Sequence, residues 1–423
     1  MSQKKRQAAF TFIFVTVVLD VLALGIIIPV LPRLVTDFMG GNTASAAEIY
    51  GIFGTVWAAM QFFFSPVLGS LSDRFGRRPV ILISNFGLGF DYILMALAPT
   101  LSWLFVGRII SGITTASIST AGAYIADVTP AEKRASSFGM LGAAFGLGFV
   151  LGPALGGFLG NVDPRLPFWV AAGMSLANAL YGTFVLPESL PVEKRTKFSW
   201  RRANPVGALK LLRSHPQLLG LAAVSFLSAL AHTVLPSTAV LYTDYRYKWD
   251  AQTVGLLLAG VGVCSMIVSG TLVKPIVAKI GARNALMMGF CFGALGFTVY
   301  GWAPTGFLYC FGVPLMALWG VGMPAAQALM ISHVGPTQQG QLQGALSSLQ
   351  GIAGMIGPGM FTVTFSTFIR HEQWHMPGAP FYLAAFFLAM AVVMAFIATR
   401  SALQTSGTQA AGQSVSPAPV TEV

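Results

Sequence analysis

Long apolar stretches, separated by short clusters of charged residues or by proline and glycine, set the pattern of this chain. A helix needs about 20 mostly apolar residues to cross the hydrocarbon core of a bilayer. Twelve stretches come close to that length, so the pattern predicts an all-α membrane protein with twelve transmembrane helices. They lie near residues 8–32, 47–71, 80–98, 101–126, 136–160, 167–187, 217–243, 251–273, 285–303, 306–332, 340–366 and 380–400.

The composition of the chain agrees with this assignment. Of the 423 residues, 55% are hydrophobic and 9% are charged, whereas about a quarter are charged in a soluble domain. This excludes an ordinary soluble enzyme and a disordered chain. The three cysteines have no metal-ligand spacing, which indicates neither a disulfide framework nor a zinc site. The sequence also has no phosphate-binding loop of the G-x-x-x-x-G-K-[ST] type. We therefore expect no metal, no cofactor and no direct coupling to ATP.

The positive charges are distributed unequally between alternate loops. Of the 25 Lys and Arg residues, 19 fall on the side of the two termini, 5 fall on the opposite side, and Arg108 lies within a stretch. Because basic loops stay on the cytoplasmic side, we predict a multi-pass protein of the cell (inner) membrane with both termini in the cytoplasm. The net charge of +11 is then an orientation signal. A nucleic-acid partner would need a basic face outside the loops, which the chain lacks.

The sequence contains an internal duplication. Gly152-Pro153 recurs as Gly357-Pro358, and the loop 73–78 has a weaker echo at 278–283, in both cases 205 residues later. Two equivalent halves of six helices are typical of secondary transporters, which work by alternating access. We predict pseudo-symmetric bundles at 1–187 (N-terminal) and 217–400 (C-terminal), a cytoplasmic linker at 188–216 and a disordered cytoplasmic tail at 401–423. We expect the protein to function as a monomer.

Three charged residues lie well inside predicted helices: Asp20, Asp91 and Arg108. Asp20 is about 18 Å into its stretch at helical rise. A charged side chain at the bilayer centre costs about 2.5–3.5 kcal/mol on the lenient insertion scale, so such a residue needs a function or a partner. The two carboxyl groups are candidates for proton coupling. The structural alternative is a static ion pair with Arg108.

Uncharged polar residues within the stretches are candidates for a substrate cavity. We predict substrate contacts for Gln61, Asn178, His232 and Gln327. Hydrogen bonding between helices is the alternative for each of them.

Two motifs combine small residues with charge or proline. The loop between the second and third stretches has six candidate residues for gating, and the fifth stretch has five; close helix packing is the alternative role for both motifs. The residues are Gly69, Asp73, Arg74, Gly76, Arg77 and Arg78 in the loop, and Gly148, Gly152, Pro153, Gly156 and Gly157 in the fifth stretch. Pro153 removes a backbone hydrogen bond and kinks its helix, and Asp73 is suited to a breakable latch on the N-terminus of another helix.

These motifs resemble those of the major facilitator superfamily and its drug:proton antiporters. The Asp73 loop resembles the superfamily signature between helices 2 and 3, the Gly/Pro pattern resembles the antiporter motif, and Gly107-Arg108 resembles the fourth-helix motif. The first 190 residues are most similar to the tetracycline/proton antiporter group, on the residues Met60-Gln61, Ser72–Pro79, Asp91-Tyr92 and Gly146–Gly148. The resemblance implies proton-driven export, with Asp20, Asp91 and Arg108 in the coupling machinery and Gln61 near the substrate.

The second half departs from the pattern of that group. The aspartate expected in the ninth helix falls near Gly293, and the eighth-helix His and Gln fall near Ser265 and Ser269.

We predict a proton-coupled antiporter that exports a tetracycline-like or other amphipathic drug. The alternative is an exporter of an endogenous metabolite such as a siderophore, with the same coupling. An enzyme is not expected, because His232 is the one histidine in mid-stretch. The expected partners are a small-molecule substrate, protons and the lipid bilayer.

Overall fold

The computed structural model describes residues 3–413 except 116, 131–132, 199–203, 205–206, 214–215 and 336–337. Its described part is helical and contains no strand. The α-helices are Gln3–Ile27, Leu31–Phe38, Thr43–Phe75, Arg77–Leu97, Leu101–Thr115, Ser117–Val128, Arg134–Val162, Leu166–Val185, Pro216–His232, Val234–Tyr247, Ala251–Ile267, Val273–Trp302, Gly306–Trp319, Gly322–Ile331, Gln339–Arg370 and Ala379–Gln413. Short helical turns lie at Val192–Lys194, Gly207–Arg213 and Glu372–Trp374, and a π-helical turn lies at Val268–Leu272.

These helices form twelve transmembrane spans, which we number in chain order. Spans 1 to 7 are Phe10–Phe38, Thr43–Phe75, Arg77–Leu97, Leu101–Val128, Ser136–Val162, Leu166–Val185 and Pro216–Tyr247, spans 8 and 9 lie within Ala251–Trp302, and spans 10 to 12 are Gly306–Ile331, Gln339–Arg370 and Ala379–Arg400. Eleven helical stretches in the described part are long and apolar enough to cross a bilayer. One of them, Ala251–Trp302, would extend about 78 Å at helical rise, more than twice the thickness of a bilayer core. It turns back at Gly281, whose φ is +78°, so it supplies both span 8 and span 9. The predicted twelve-helix membrane fold is confirmed.

The loops that follow spans 2 and 8 show the duplication in the backbone. Each turns on a glycine with positive φ, Gly76 at +108° and Gly281 at +78°. Glycine adopts this conformation without the steric penalty that a Cβ atom would add. The two glycines are separated by the same offset as the Gly-Pro pairs of spans 5 and 11, so one supersecondary unit occurs twice.

Spans 1–6 form one bundle and spans 7–12 form the other, each around its own buried apolar core. Between them, span 6 ends at Val185 and span 7 begins at Pro216. The structure differs from the predicted disordered tail, because span 12 continues as a helix to Gln413. The Ala and Gln residues of this segment favour helix, and a helix already formed is extended at little cost. Residues 414–423 lie outside the described part.

The bundles contact each other through spans 2 and 11 and through spans 5 and 8. We call the membrane side that carries the described ends of the chain the termini side, and the opposite side the far side. Near the far side, a Cβ added to Gly157 would lie 2.3 Å from the carbonyl oxygen of Ala251, and one added to Gly51 would overlap Thr362. Towards the termini side, no heavy atom of a described residue lies within 4 Å of such a Cβ on Gly69, Gly142 or Gly270. The bundles are thus in close contact near the far side, and these three glycines make no such contact towards the termini side.

Candidate coupling and substrate site

Asp20 lies in span 1 and is held by span 6. The Asn178 amide donates one hydrogen bond to Asp20 Oδ1 at 2.8 Å and another to the Thr16 carbonyl oxygen at 3.0 Å. Asp20 is half-buried, whereas Asn178 is completely buried. Asn178 was predicted to contact the substrate. In the structure its side chain is instead buried and bonded to the carboxyl group of Asp20, which it orients. Its spacing along the helix could not distinguish the two roles.

Asp91 lies in span 3 and is 1% exposed. Neither of its carboxyl oxygens has a hydrogen-bond partner among the described residues. Span 4 packs closely against Asp91, because a Cβ on Gly107 would lie 3.0 Å from Asp91 Oδ1. Tyr92, the next residue, is buried and lies within electrostatic range of both Asp91 and Asp20. The two acids therefore share one interior region of the N-terminal bundle.

Arg108 follows Gly107 in span 4 and is the positive charge of this region. Its guanidinium lies 5.4 Å from the ring centroid of Trp57, in a cation–π arrangement. Asp91 is within electrostatic range of it. Among the described residues, however, no ion pair within 4.0 Å joins Arg108 to an acid. The structure thus does not contain the static ion pair that was the alternative interpretation.

The remaining substrate candidates lie in different spans. Gln61 of span 2 and Gln327 of span 10 are half-buried. His232 is exposed at the point where span 7 is interrupted, and its ring centroid lies 5.7 Å from that of Trp319 in span 10. The Trp319 indole covers Gly293, where a Cβ would lie 2.8 Å from the ring. The ninth-span position at which the resemblance leads one to expect an acid is therefore filled by an aromatic ring.

The signature loop between spans 2 and 3 is a network of ions within the N-terminal bundle. Arg77 pairs with Asp73 at 2.5 Å and with Asp127 of span 4 at 3.2 Å, and it donates to the Ser72 hydroxyl at 2.7 Å. The linker residue Glu188 accepts a hydrogen bond from the Arg77 backbone N–H at 2.9 Å. A carboxylate at this position stabilises the N-terminus of span 3.

Other residues of this loop have distinct positions. A Cβ on Gly76 would overlap the Glu188 carboxylate, and the Arg78 guanidinium donates to the Thr183 carbonyl oxygen of span 6. Arg74 lies over the Phe75 ring at 5.0 Å. Asp127 and Glu188 were not among the residues predicted from the sequence. Both follow the apolar parts of spans 4 and 6 on the same membrane side as the Arg77 loop, which is the signal that could have found them.

The glycines of span 5 face two neighbours. Gly148, Gly152 and Gly156 pack on span 1, where a Cβ on Gly152 would lie 2.7 Å from the Gly25 Cα atom. Gly157 packs instead on span 8, with a Cβ position 3.0 Å from the Gly255 Cα atom. One motif thus joins spans within a bundle and also joins the two bundles. A helix contact this close requires residues without side chains.

Two ion pairs that were not predicted from the sequence connect the bundles at the far side. Arg33 of span 1 pairs with Asp244 of span 7 at 3.2 Å and also donates to the Trp249 carbonyl oxygen. Glu48 of span 2 pairs with Arg370 of span 11 at 3.0 Å. Ser366 donates to Glu48 at 2.7 Å. These contacts join the two bundles across the closed far side.

A cleft of about 520 Å³ also opens on the far side, within the C-terminal bundle. It is lined by Tyr245, Arg246, Lys248, His375 and Pro377. None of these residues is a predicted site residue, and the cleft lies at the end of span 7 rather than at membrane depth. Among the described residues, no group of three or more His, Cys, Asp or Glu side chains could hold a metal ion.

The comparison with known proteins decides the family. The sequence profile of the Major Facilitator Superfamily matches residues 13–358. The chain belongs to this superfamily. It is 38% identical to the class C tetracycline resistance protein of Escherichia coli, over 90% of this chain and 96% of that protein. It is 35% identical to the class B protein of Escherichia coli, over 93% and 98% respectively.

The superfamily fold is also found in solved structures. A bacterial homologue of the human lysosomal transporter Spinster, in an inward-facing and unoccupied conformation, superimposes with a TM-score of 0.78. The match covers 96% of this chain and 99% of that chain at 15% identity. At that identity the likeness concerns the fold alone.

The Asp73 network leads to a prediction about turnover. We expect Asp73→Ala to leave substrate affinity nearly unchanged and to slow transport, because Asp73 is 40% exposed in the last turn of span 2, whereas the binding candidates lie at membrane depth. Equilibrium binding and transport rate, measured on the same reconstituted preparation, test this. Glu193→Ala, in the exposed part of the linker, is the control. A large loss of affinity with a normal rate would contradict the prediction.

Proposed function

We propose that this protein is a proton-coupled antiporter that exports a tetracycline-like amphipathic drug by alternating access. The observation that carries the proposal is the identity of 38% with a tetracycline resistance protein over nearly its whole length. The two acids at membrane depth supply the chemistry that such an exchange needs. The relatives favour drug export over export of an endogenous metabolite.

In this proposal Asp20 and Asp91 bind protons that enter from the far side and release them at the termini side. Arg108 adjusts the proton affinity of the acids through its charge, and Asn178 orients Asp20 by its hydrogen bond. One elementary charge that moves down the membrane potential supplies about 2.3 kcal/mol per 100 mV, which supports export against a concentration gradient. The proton gradient is the energy source, so the cycle needs no cofactor.

The substrate is proposed to bind between the bundles, near Gln61, His232 and Gln327. The termini side is proposed to be cytoplasmic, because 19 of the 25 basic residues lie there. The described conformation then opens to the cytoplasm and is ready to receive drug. Domain limits of 1–187, 188–216, 217–400 and 401–423, and function as a monomer, belong to the same proposal.

The proposal is tested by the drug tolerance of a susceptible bacterium that expresses the protein. We expect increased tolerance to tetracyclines, with lower drug accumulation that a protonophore restores to the level of cells without the protein. The Asp20→Asn variant at matched expression is the control for pumping. Unchanged tolerance, or export that persists with the protonophore, would refute the proposed function.

A further inference from the structure

We infer that the C-terminal bundle binds the transported molecule through the ring nitrogens of His232 and Trp319. The part of the ligand that faces this bundle would then be a neutral or anionic hydrogen-bond acceptor, such as a carbonyl or enolate oxygen. It would not be a cation or a bound divalent metal. This inference rests on the proposed export function and specifies the chemistry of its substrate site.

The first support is that two interrupted helices meet at these side chains. The helices of span 7 end at His232 and restart at Val234, and those of span 10 end at Trp319 and restart at Gly322. The two rings lie 5.7 Å apart at an angle of 45°. Irregular backbone at membrane depth is tolerated where it is buried in protein or lines a cavity, and broken helices form substrate sites in several transporters.

The second support is that both rings have unused hydrogen-bonding capacity. Trp319 is 8% exposed, and its indole Nε1 is buried without a partner in the part of the chain that the structure describes. A buried N–H without an acceptor is unfavourable, and a ligand oxygen would remove that penalty. His232 is exposed and makes no hydrogen bond with a described residue. The pair thus offers an indole N–H and an imidazole beside each other.

The third support is the absence of acids from this part of the sequence. The acidic residues after position 216 are Asp244, Asp250, Glu372 and Glu422, all outside the predicted apolar stretches. Asp244 is already paired with Arg33. The two acids at membrane depth, Asp20 and Asp91, belong to the N-terminal bundle. A cationic group of a ligand is therefore directed to the N-terminal bundle, and its acceptor groups are directed to the C-terminal bundle.

The experiment measures binding of tetracycline, as the probe, to the purified full-length protein by calorimetry. Each titration is carried out with excess magnesium and again with EDTA. We expect the effect of each ring substitution to be the same in the two buffers, because the C-terminal bundle offers no acid at membrane depth to a bound metal. Trp319→Phe, which keeps a ring but removes the N–H, and His232→Leu should each raise Kd about fivefold, the effect of losing one hydrogen bond.

Two further variants separate recognition from folding. His232→Gln keeps hydrogen-bonding capacity and should bind within twofold of the wild type. Trp302→Phe changes a tryptophan that is exposed near the far side and should not affect binding. Unchanged Kd in both Trp319→Phe and His232→Leu would overturn the inference while export by the wild type persists. A wild type that neither binds nor exports tetracycline would refute the proposed function, and the inference with it.

Discussion

Asp20→Asn is expected to reduce proton-driven export to the level of vesicles without the protein, while the variant remains folded in the membrane. The replacement amide cannot release and rebind a proton at physiological pH, so the carrier of the exchange is lost. Folding should survive, because the new side chain keeps an oxygen that accepts the hydrogen bond from the Asn178 amide, which is 2.8 Å long at Asp20. The measurement is drug-induced proton efflux together with drug uptake in everted vesicles.

The matched control is the same substitution at an acid with a structural role. Asp250 caps span 8 by accepting a hydrogen bond from the Thr253 N–H at 2.8 Å, and asparagine caps helices as well as aspartate does. Asp250→Asn should therefore export like the wild type. Wild-type export by Asp20→Asn would exclude Asp20 as the coupling acid. Loss of export in both variants would point to a general defect.

The periodicity and charge of the sequence were sufficient to predict the fold. Twelve apolar stretches were enough to predict twelve spans, because a bilayer imposes a minimum length on every crossing helix. The duplication was detectable because each copy needs the same unusual backbone. Gly76 and Gly281 both have positive φ, so the loop between spans 8 and 9 kept its glycine although Asp73 has no acidic counterpart there. The helical extension to Gln413 and the interruptions within spans such as 7 and 10 departed from the prediction.

The partners of individual polar side chains could not be predicted in this way. Asn178 is on a helix whose spacing is compatible with either a cavity or a neighbouring helix, and only the packing of span 6 on span 1 places it against Asp20. The ion pairs at the far side are still harder to predict from the sequence. Arg33 and Asp244 are 211 residues apart, and nothing in the sequence near either one indicates the other.

The far-side ion pairs lead to the second prediction of large effect. Closure of the far side depends on contacts that must break whenever the protein opens there. The Arg33–Asp244 pair contributes about 1 kcal/mol at most, because its side chains are 24% and 32% exposed, and the more exposed Glu48–Arg370 pair contributes less. We expect Asp244→Asn to shift the equilibrium about fivefold towards the far-side-open state. Adding Arg370→Gln to Asp244→Asn should shift the equilibrium further and slow export, because the far side must then close again without either ion pair.

The distance between the bundles at the far side measures this shift. Nitroxide labels on Thr100→Cys and Trp374→Cys, in a chain whose three native cysteines are replaced by serine, report the open and closed populations by pulsed electron paramagnetic resonance. Asp163→Asn is the control and should leave the populations unchanged, because Asp163 accepts hydrogen bonds from Arg165 and Leu166 within the N-terminal bundle.

Arg33→Asp combined with Asp244→Arg should recover part of the closed population, because the attraction between the bundles is restored with the two charges exchanged. The populations could instead be equal in the wild type, in Asp244→Asn and in the variant that combines Asp244→Asn with Arg370→Gln. That result would show that helix packing alone, through contacts such as Gly157 on span 8, keeps the far side closed.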